Sequence, residues 1–478
     1  MKQDSQAYGM RRIVAAGMMG ISLLFPAASW GETLADALVG AYNNSGLLDQ
    51  NRAVLRAADE DVGIAKSALK PVVQWTGGIT QNFNRSVSGG SSVVTAGTRT
   101  DTDSLTTTAN LIASLLVYDF GATRYGVEAS KETVLAARQT LISVEQQILL
   151  RAVDAYMSVI QSQQFVALRE NNVRLLTQEL RAARDRFEVG EVTRTDVALA
   201  EAQLAQARSG LAGAQGDLIS AKAYFKIAVG REPGNLSAPP SLPGISNINT
   251  AKALAVRSHP DILAVQHQVA AAELLIRRSA AAMEPQVSVQ GSLGVTDTFD
   301  SQSSTRSASV GLQMSQTIFQ GGALSAGVRK SRAQRDAQRG NLHVVVKDVE
   351  RAVSDAYAGL AAARAQIEAS RRQVSAARIA FQGVREEAAL GARTTLDVLD
   401  AEQSLLDAQS SSVTAQTQIY VAAYSVLQAT GQLTARNLNL PVQVYDPAAY
   451  YNLVKDSPAK LSKEGKQLDR VLRALQKD

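Results

Sequence analysis

The 478-residue sequence contains no cysteine. That excludes disulfides, thiol catalysis and lipid attachment through an N-terminal cysteine. Aromatic residues make up only 5% of the chain, few for a thick globular core. Alanine, serine, glutamine and arginine instead crowd the longer stretches, as in extended helices packed through small side chains. Histidine is scarce too. His259, His267 and His343 show no H-x-x-x-H or H-E-x-x-H spacing, so a metal site or a catalytic triad has no basis, and each reads as a surface or helix-packing residue. Gly321-Gly322 lacks the lysine of a phosphate-binding loop and reads as a strand-to-helix turn. No cofactor and no enzymatic activity are expected. A strong charge of one sign is also missing. The formal charge is +5, and Lys2, Arg11, Arg12 and Asp4 lie in the first thirty-one residues, which leaves about +3 for the rest. That is too weak, and too mixed with acids, for a nucleic-acid surface.

Long apolar runs are absent beyond the N-terminus. There, Arg11-Arg12 precedes IVAAGMMGISLLF and then PAASWG, the charged, apolar and cleavable parts of a secretory signal expected over residues 1–31. The run is shorter than the ~20 residues of a membrane-spanning helix, so export is expected rather than anchoring. Any later membrane crossing has to be made by strands.

What the sequence does contain is a duplication. VGEVTRTDVALAEAQ, starting at Val189, returns as LGARTTLDVLDAEQ, starting at Leu390. Gly190 and Gly391, Asp196 and Asp397, and Glu201 and Glu402 are each 201 positions apart, as are Gly121 and Gly322, Asp154-Ala155-Tyr156 and Asp355-Ala356-Tyr357, and Gly230 and Gly431. One ungapped offset over more than a hundred residues marks two copies of a structural unit. Upstream, Pro71 pairs with Pro285 at an offset of 214, so the first copy carries thirteen extra residues. They fall in NRSVSGGSSVVTAGTRTDTD, which together with DTFDSQSSTR of the second copy reads as a surface loop. The expected divisions are a first repeat over 32–240, a second over 241–432 and a C-terminal extension over 433–478.

Around each loop the hydrophobic period is two. Val73, Trp75, Ile79 and Phe83 alternate with polar residues, as do Leu105, Ala109, Leu111, Ala113, Leu115 and Val117. In the second copy the same holds for Val287, Val289, Leu293 and Val295, then for Val310, Leu312 and Met314. Four strands of nearly equal length are predicted, each long enough to cross a bilayer when tilted. Half-buried hairpins of a soluble domain are the alternative. Export, and the lack of a helix to cover the apolar face, favour lipid against it.

Between strands the period becomes helical. Val134, Leu141, Val144, Ile148, Ala152, Ala155 and Val159 form a near-heptad stripe in a proline-free stretch from Ala122 to Val189. At 1.5 Å per residue that stretch reaches roughly 100 Å, and the return over Thr195 to Val229 about 50 Å. Shorter helices over Leu34 to Leu69 and Ala251 to Met283 lead into the strands. A short amphipathic helix with Leu468, Val471, Leu472 and Leu475 is predicted near the end. Four strands cannot close a barrel, so several protomers have to join.

These features, with ETLADALVGAYNN at the start, SHPDIL opening the second copy, and AVGRE and ATGQL closing the two copies, resemble the TolC family of outer-membrane channels over about Glu32 to Leu440. Within the family the chain looks most like the type I secretion branch, as does its tail after Pro441. The usual Asn-Pro after the first helix reads NNSGLL here. The resemblance implies a mixed α and β fold: a homotrimeric outer-membrane β-barrel, four strands per protomer, continued by a periplasmic α-helical barrel. It implies an exit duct for a periplasmic adaptor and an inner-membrane ABC transporter or proton-driven pump, with type I protein secretion expected and multidrug efflux the alternative. An exported coiled coil without a pore is the alternative from another class. Carried over by position, Gly190 and Gly391 form the helix-turn tips, Asp397 and Asp400 an acidic constriction, and Arg393 a latch to Asp196, with Ala388 where the family has a tyrosine. Asp397 and Asp400 are three apart, hence on one helical face, and a ring of them favours cations. A solvated face with a helix-capping aspartate is the competing explanation of Asp397.

Overall fold

The computed structural model describes residues 31–88, 98–244, 247–299, 303–456, 458–460 and 462–475. The expected signal segment therefore lies, but for its last residue, outside the described residues. The first copy runs α1 (Leu34–Asn44), α2 (Gly46–Ser67), β1 (Val72–Ser88), β2 (Thr98–Tyr118), α3 (Ala122–Glu188) and α4 (Arg194–Val229). The second runs α5 (Ile248–Ser258), α6 (Pro260–Ala281), β3 (Gln286–Thr298), β4 (Ser303–Ser315), α7 (Ala323–Ala389) and α8 (Thr395–Ala429). Two short helices, α9 (Pro447–Val454) and α10 (Lys463–Leu475), complete the chain. Both long helices have 67 residues, about 100 Å at the α-helical rise. The helices that lead into the strands, α1 with α5 and α2 with α6, have 11 and 22 residues in both copies.

Two expectations are corrected. The entry segments, predicted as one helix each, are two. Ser45 breaks the first by capping α2, its hydroxyl accepting from the Leu48 N–H at 3.3 Å. His259 and Pro260 break the second, because proline supplies no N–H and is favoured at the first helical position. His259 is buried, its Nδ1 accepting from the Asp261 N–H at 3.3 Å, so this histidine acts as a cap. Burial holds its pKa below the ordinary value. The strands also differ in length, at 17, 21, 13 and 13 residues. They run past the apolar alternation, so much of each predicted loop is strand.

The sheet is antiparallel in the order β1-β2-β3-β4. Its register places the four apolar sets on one face: Trp75 opposite Leu111, Leu111 opposite Leu293, and Leu293 opposite Ala308. The next row is Val73, Ala113, Gly291 and Val310. The other face carries Thr76, Asn110 and Ser307, and Thr108, Thr296 and Thr305. Nothing covers the apolar face among the described residues: Trp75 is 71% exposed, Phe83 76% and Val310 85%. From Val73 to Phe83 the apolar rows span about 33 Å along the strand, or about 23 Å when tilted by 45°.

The core lies among the helices instead. Val134, Leu141, Ile148, Ala152, Ala155 and Val159 of α3 are buried against α1, α2, α4 and the segment after α8. Tyr156 is fully buried, and its hydroxyl lies within hydrogen-bond reach of the carbonyls of Ser237 (2.8 Å) and Glu32 (3.0 Å). The C-terminal segment returns outside this core, where α9 packs on α2. The Tyr450 hydroxyl donates to Glu60 at 2.6 Å.

Candidate functional site

Far from the sheet, α3 turns into α4 and α7 into α8 by the same construction. Gly190 (φ 80°) and Gly391 (φ 77°) take the left-handed conformation, which costs a β-carbon-bearing residue about 1–2 kcal/mol. The helix ends are closed by 6→1 hydrogen bonds, Glu191 N–H to Arg186 C=O and Ala392 N–H to Glu387 C=O, both 2.9 Å. Thr193 and Thr394 then cap the return helices. Each threonine hydroxyl accepts from the N–H three residues on, and the carboxylates of Asp196 and Asp397 accept from the threonine N–H (2.9 Å each) and hydroxyl (2.7 and 2.8 Å). Those bonds hold both carboxylates below their ordinary pKa, through the Thr193 hydroxyl first for Asp196 and the Thr394 N–H first for Asp397.

The capping explanation of Asp397 is therefore correct in the protomer. It leaves room for a second role, since Asp397 stays charged and partly exposed, and Asp400 is exposed one turn along. The latch residues do not meet within one protomer. Asp196 is turned back onto Thr193, while Arg393 Nε donates to Glu387 across the turn at 2.8 Å. Ala388 is buried beside Phe381 and Val398 and has no hydroxyl to offer a latch.

Just behind the second tip, Leu399 joins Leu176, Leu180, Ala183, Ala200 and Leu204 in a cluster that binds α8 to α3 and α4. Glu402 lies beside it, only 5% exposed. One of its oxygens accepts from Asn172 Nδ2 at 2.7 Å, and the other is buried without a partner. Burial pushes its pKa up to about 7; Glu179 adds to the rise, and Asn172 and Arg385 oppose it. The sequence marked Glu402 only as a repeated position and missed its burial. Thr193, Thr394 and Glu387 were also missed, although T-x-x-D is itself a helix-start signature. Among the described residues, no group of three or more histidine, aspartate or glutamate side chains is arranged to hold a metal ion. No helix there is long and apolar enough to cross a membrane.

Known proteins resemble this chain in sequence and fold. The outer membrane efflux protein family matches residues 38–231 and 253–432. The outer membrane efflux protein BepC of Brucella suis is 38% identical over 450 residues, covering 93% of this chain and 95% of that protein. The alkaline protease secretion protein AprF of Pseudomonas aeruginosa is 25% identical over 323 residues, covering 65% and 66%. Outer membrane protein TolC of Escherichia coli is 23% identical over 445 residues, covering 88% and 87%. Among solved structures, the Campylobacter jejuni CmeC outer membrane channel superposes with a TM-score of 0.72 at 16% identity, covering 89% of this chain and 90% of that one. The chain belongs to the outer membrane efflux protein family, seated in the outer membrane with its helices in the periplasm.

Proposed function

We propose that three copies of this chain form the exit duct of a tripartite exporter, receiving substrate from a periplasmic adaptor and an inner-membrane transporter. The observation that carries the reading is the sheet, whose register gathers a bilayer-high apolar band on one uncovered face. In water such a face would aggregate, which disfavours an exported coiled coil without a pore. Strands β1 and β4 are edges in the protomer. Joining β4 of one copy to β1 of the next removes both kinds of edge.

The helices support the same closure. Within the copies, α3 packs on α4 and on α2, as α7 does on α8 and on α6. Between the copies, α3 packs on α6 and α8, but the duplicated counterparts of those contacts, α7 on α2 and α7 on α4, are not among the protomer's packed pairs. A head-to-tail contact whose complement stays open closes through further copies into a ring. In that ring Asp397 and Asp400 line the periplasmic opening and favour cations, and a latch between Arg393 and Asp196 is one across protomers.

Efflux is the reading best supported, because the likeness to the outer membrane efflux protein BepC spans nearly both chains at 38% identity. Protein secretion is the second reading, supported by the likeness to AprF at 25% and to the Dickeya chrysanthemi proteases secretion protein PrtF at 24%. Purified protein in a planar bilayer should give discrete cation-selective conductance steps. Monomeric protein without conductance would remove the duct reading. Toxic-compound accumulation against loss of an extracellular protein in a deletion strain separates the two substrate classes.

A further inference from the structure

The duplication supplies an internal control for one buried acid. Glu201 of α4 and Glu402 of α8 are counterparts. Glu201 is exposed and paired with Arg184 at 2.5 Å, an ordinary surface ion pair along its own hairpin. The counterpart of Arg184 is Arg385, which bridges instead to Glu179 of α3 at 3.2 Å. Glu402 is left with the neutral Asn172 as its one hydrogen-bond partner and with an oxygen sealed from solvent.

The charged groups acting on Glu402 are Glu179 from α3 and Arg385 from α7, while α4 meets α8 nearby through Ala200 and Leu204. Burying a carboxylate without a cation in hydrogen-bond reach costs far more than burying the neutral acid. The seam between α3 and α8 thus holds a buried acid that is costlier to keep there charged than neutral, about one and a half turns from Asp397.

We propose that Glu402 is a positioning residue for the periplasmic opening: protonated, it lets α8 lie against α3 and keeps the opening narrow, and ionised, it drives α8 off α3 and widens it. The proposal rests on the duct reading above. A carboxyl whose pKa is raised by burial stabilises the buried arrangement fully below its ordinary value of 4.5, and that contribution is lost as pH climbs through about 7. The opening therefore tightens in acid and loosens toward neutral and alkaline pH. Asp196 and Asp397, held below the ordinary carboxylate range, stay charged throughout this window.

The test uses the purified full-length channel in planar bilayers between about pH 5 and about pH 9, a window that brackets the raised carboxyl. Wild-type conductance should rise several-fold with a midpoint near 7, and Glu402→Gln should keep the low, acid-side conductance at every pH. A wild type without this transition, or a Glu402→Gln channel that retains it, overturns the proposal. The lack of native cysteine allows a second readout. Spin labels on Gln178→Cys of α3 and Ser404→Cys of α8, both exposed positions, should move apart between acid and alkaline pH in the wild-type background and stay fixed with Glu402→Gln. Equal distances at both pH values overturn the proposal even if no current is seen, whereas absence of current at every pH counts against the duct itself.

Discussion

Enlarging two glycines in α4 should have opposite effects on the isolated helix and on the assembled ring. Gln161 of α3 donates to Thr414 at 3.4 Å and accepts from Thr417 at 3.3 Å, both in α8. Their counterparts are Ala362 in α7 and Gly213 and Gly216 in α4, all of them small. In the protomer a β-carbon at Gly213 or Gly216 meets nothing within 4 Å. On the protomer alone, Gly213→Leu with Gly216→Leu should stabilise α4 by about 0.8 kcal/mol per site, roughly 1.6 in all, from helix propensity. In a ring where α7 of the neighbour lies against these glycines, overpacking costs about 1–3 kcal/mol per site, or roughly 6–18 kcal/mol over two sites and three seams. That exceeds the roughly 5 kcal/mol gained in three helices. The double variant should show undiminished helicity by circular dichroism, with the trimer lost by light scattering in mild detergent. Gly213→Ala with Gly216→Ala should fall between. A double leucine variant that stays trimeric and melts higher than wild type would refute the seam.

Two further tests concern the tips and the core. Asp397→Asn with Asp400→Asn should shift the reversal potential in a salt gradient toward zero. Because hydrogen bonds hold Asp397 below the ordinary carboxylate range, wild-type cation selectivity should persist as pH falls through that range and weaken only beneath it; loss of selectivity near pH 5 would contradict the pairing with Thr394. Tyr156→Phe removes a buried hydroxyl within reach of two carbonyls. It should lower stability by about 1–3 kcal/mol, the cost of leaving the Ser237 carbonyl without its donor, since the Glu32 carbonyl still accepts from the Ser237 N–H at 2.9 Å; the readout is a lower thermal midpoint with conductance unchanged.

Much of the architecture was legible because the duplication imposes it. The offset of 201 returns as two helices of equal length with glycines at the same turns, and the offset of 214 returns as matching entry helices. Strand alternation was legible only over the apolar band. Polar strand ends such as the Arg85 and Asp101 pair, joined at 2.7 Å, carry no hydrophobic period and look like loop. The breaks at Ser45 and at His259-Pro260 had local signals, outweighed by the continuous apolar stripe on either side. At the tips, Asp196 and Asp397 were legible as positions, but their bonds depend on threonines three residues earlier. The burial of Glu402 could not be read from sequence, because its counterpart Glu201 sits in nearly the same local phrase and is exposed. The difference arises between the copies, where α8 meets α3.

The unequal strands give the outer end of the proposed duct an uneven profile. β1 and β2 outrun β3 and β4 by four and eight residues, so three tall hairpins stand like merlons on a parapet, with lower gaps between them. Anything approaching the cell from the medium meets these crests before the pore mouth. A peptide tag grafted on the first hairpin should be reached by antibody on intact cells more readily than the same tag on the second.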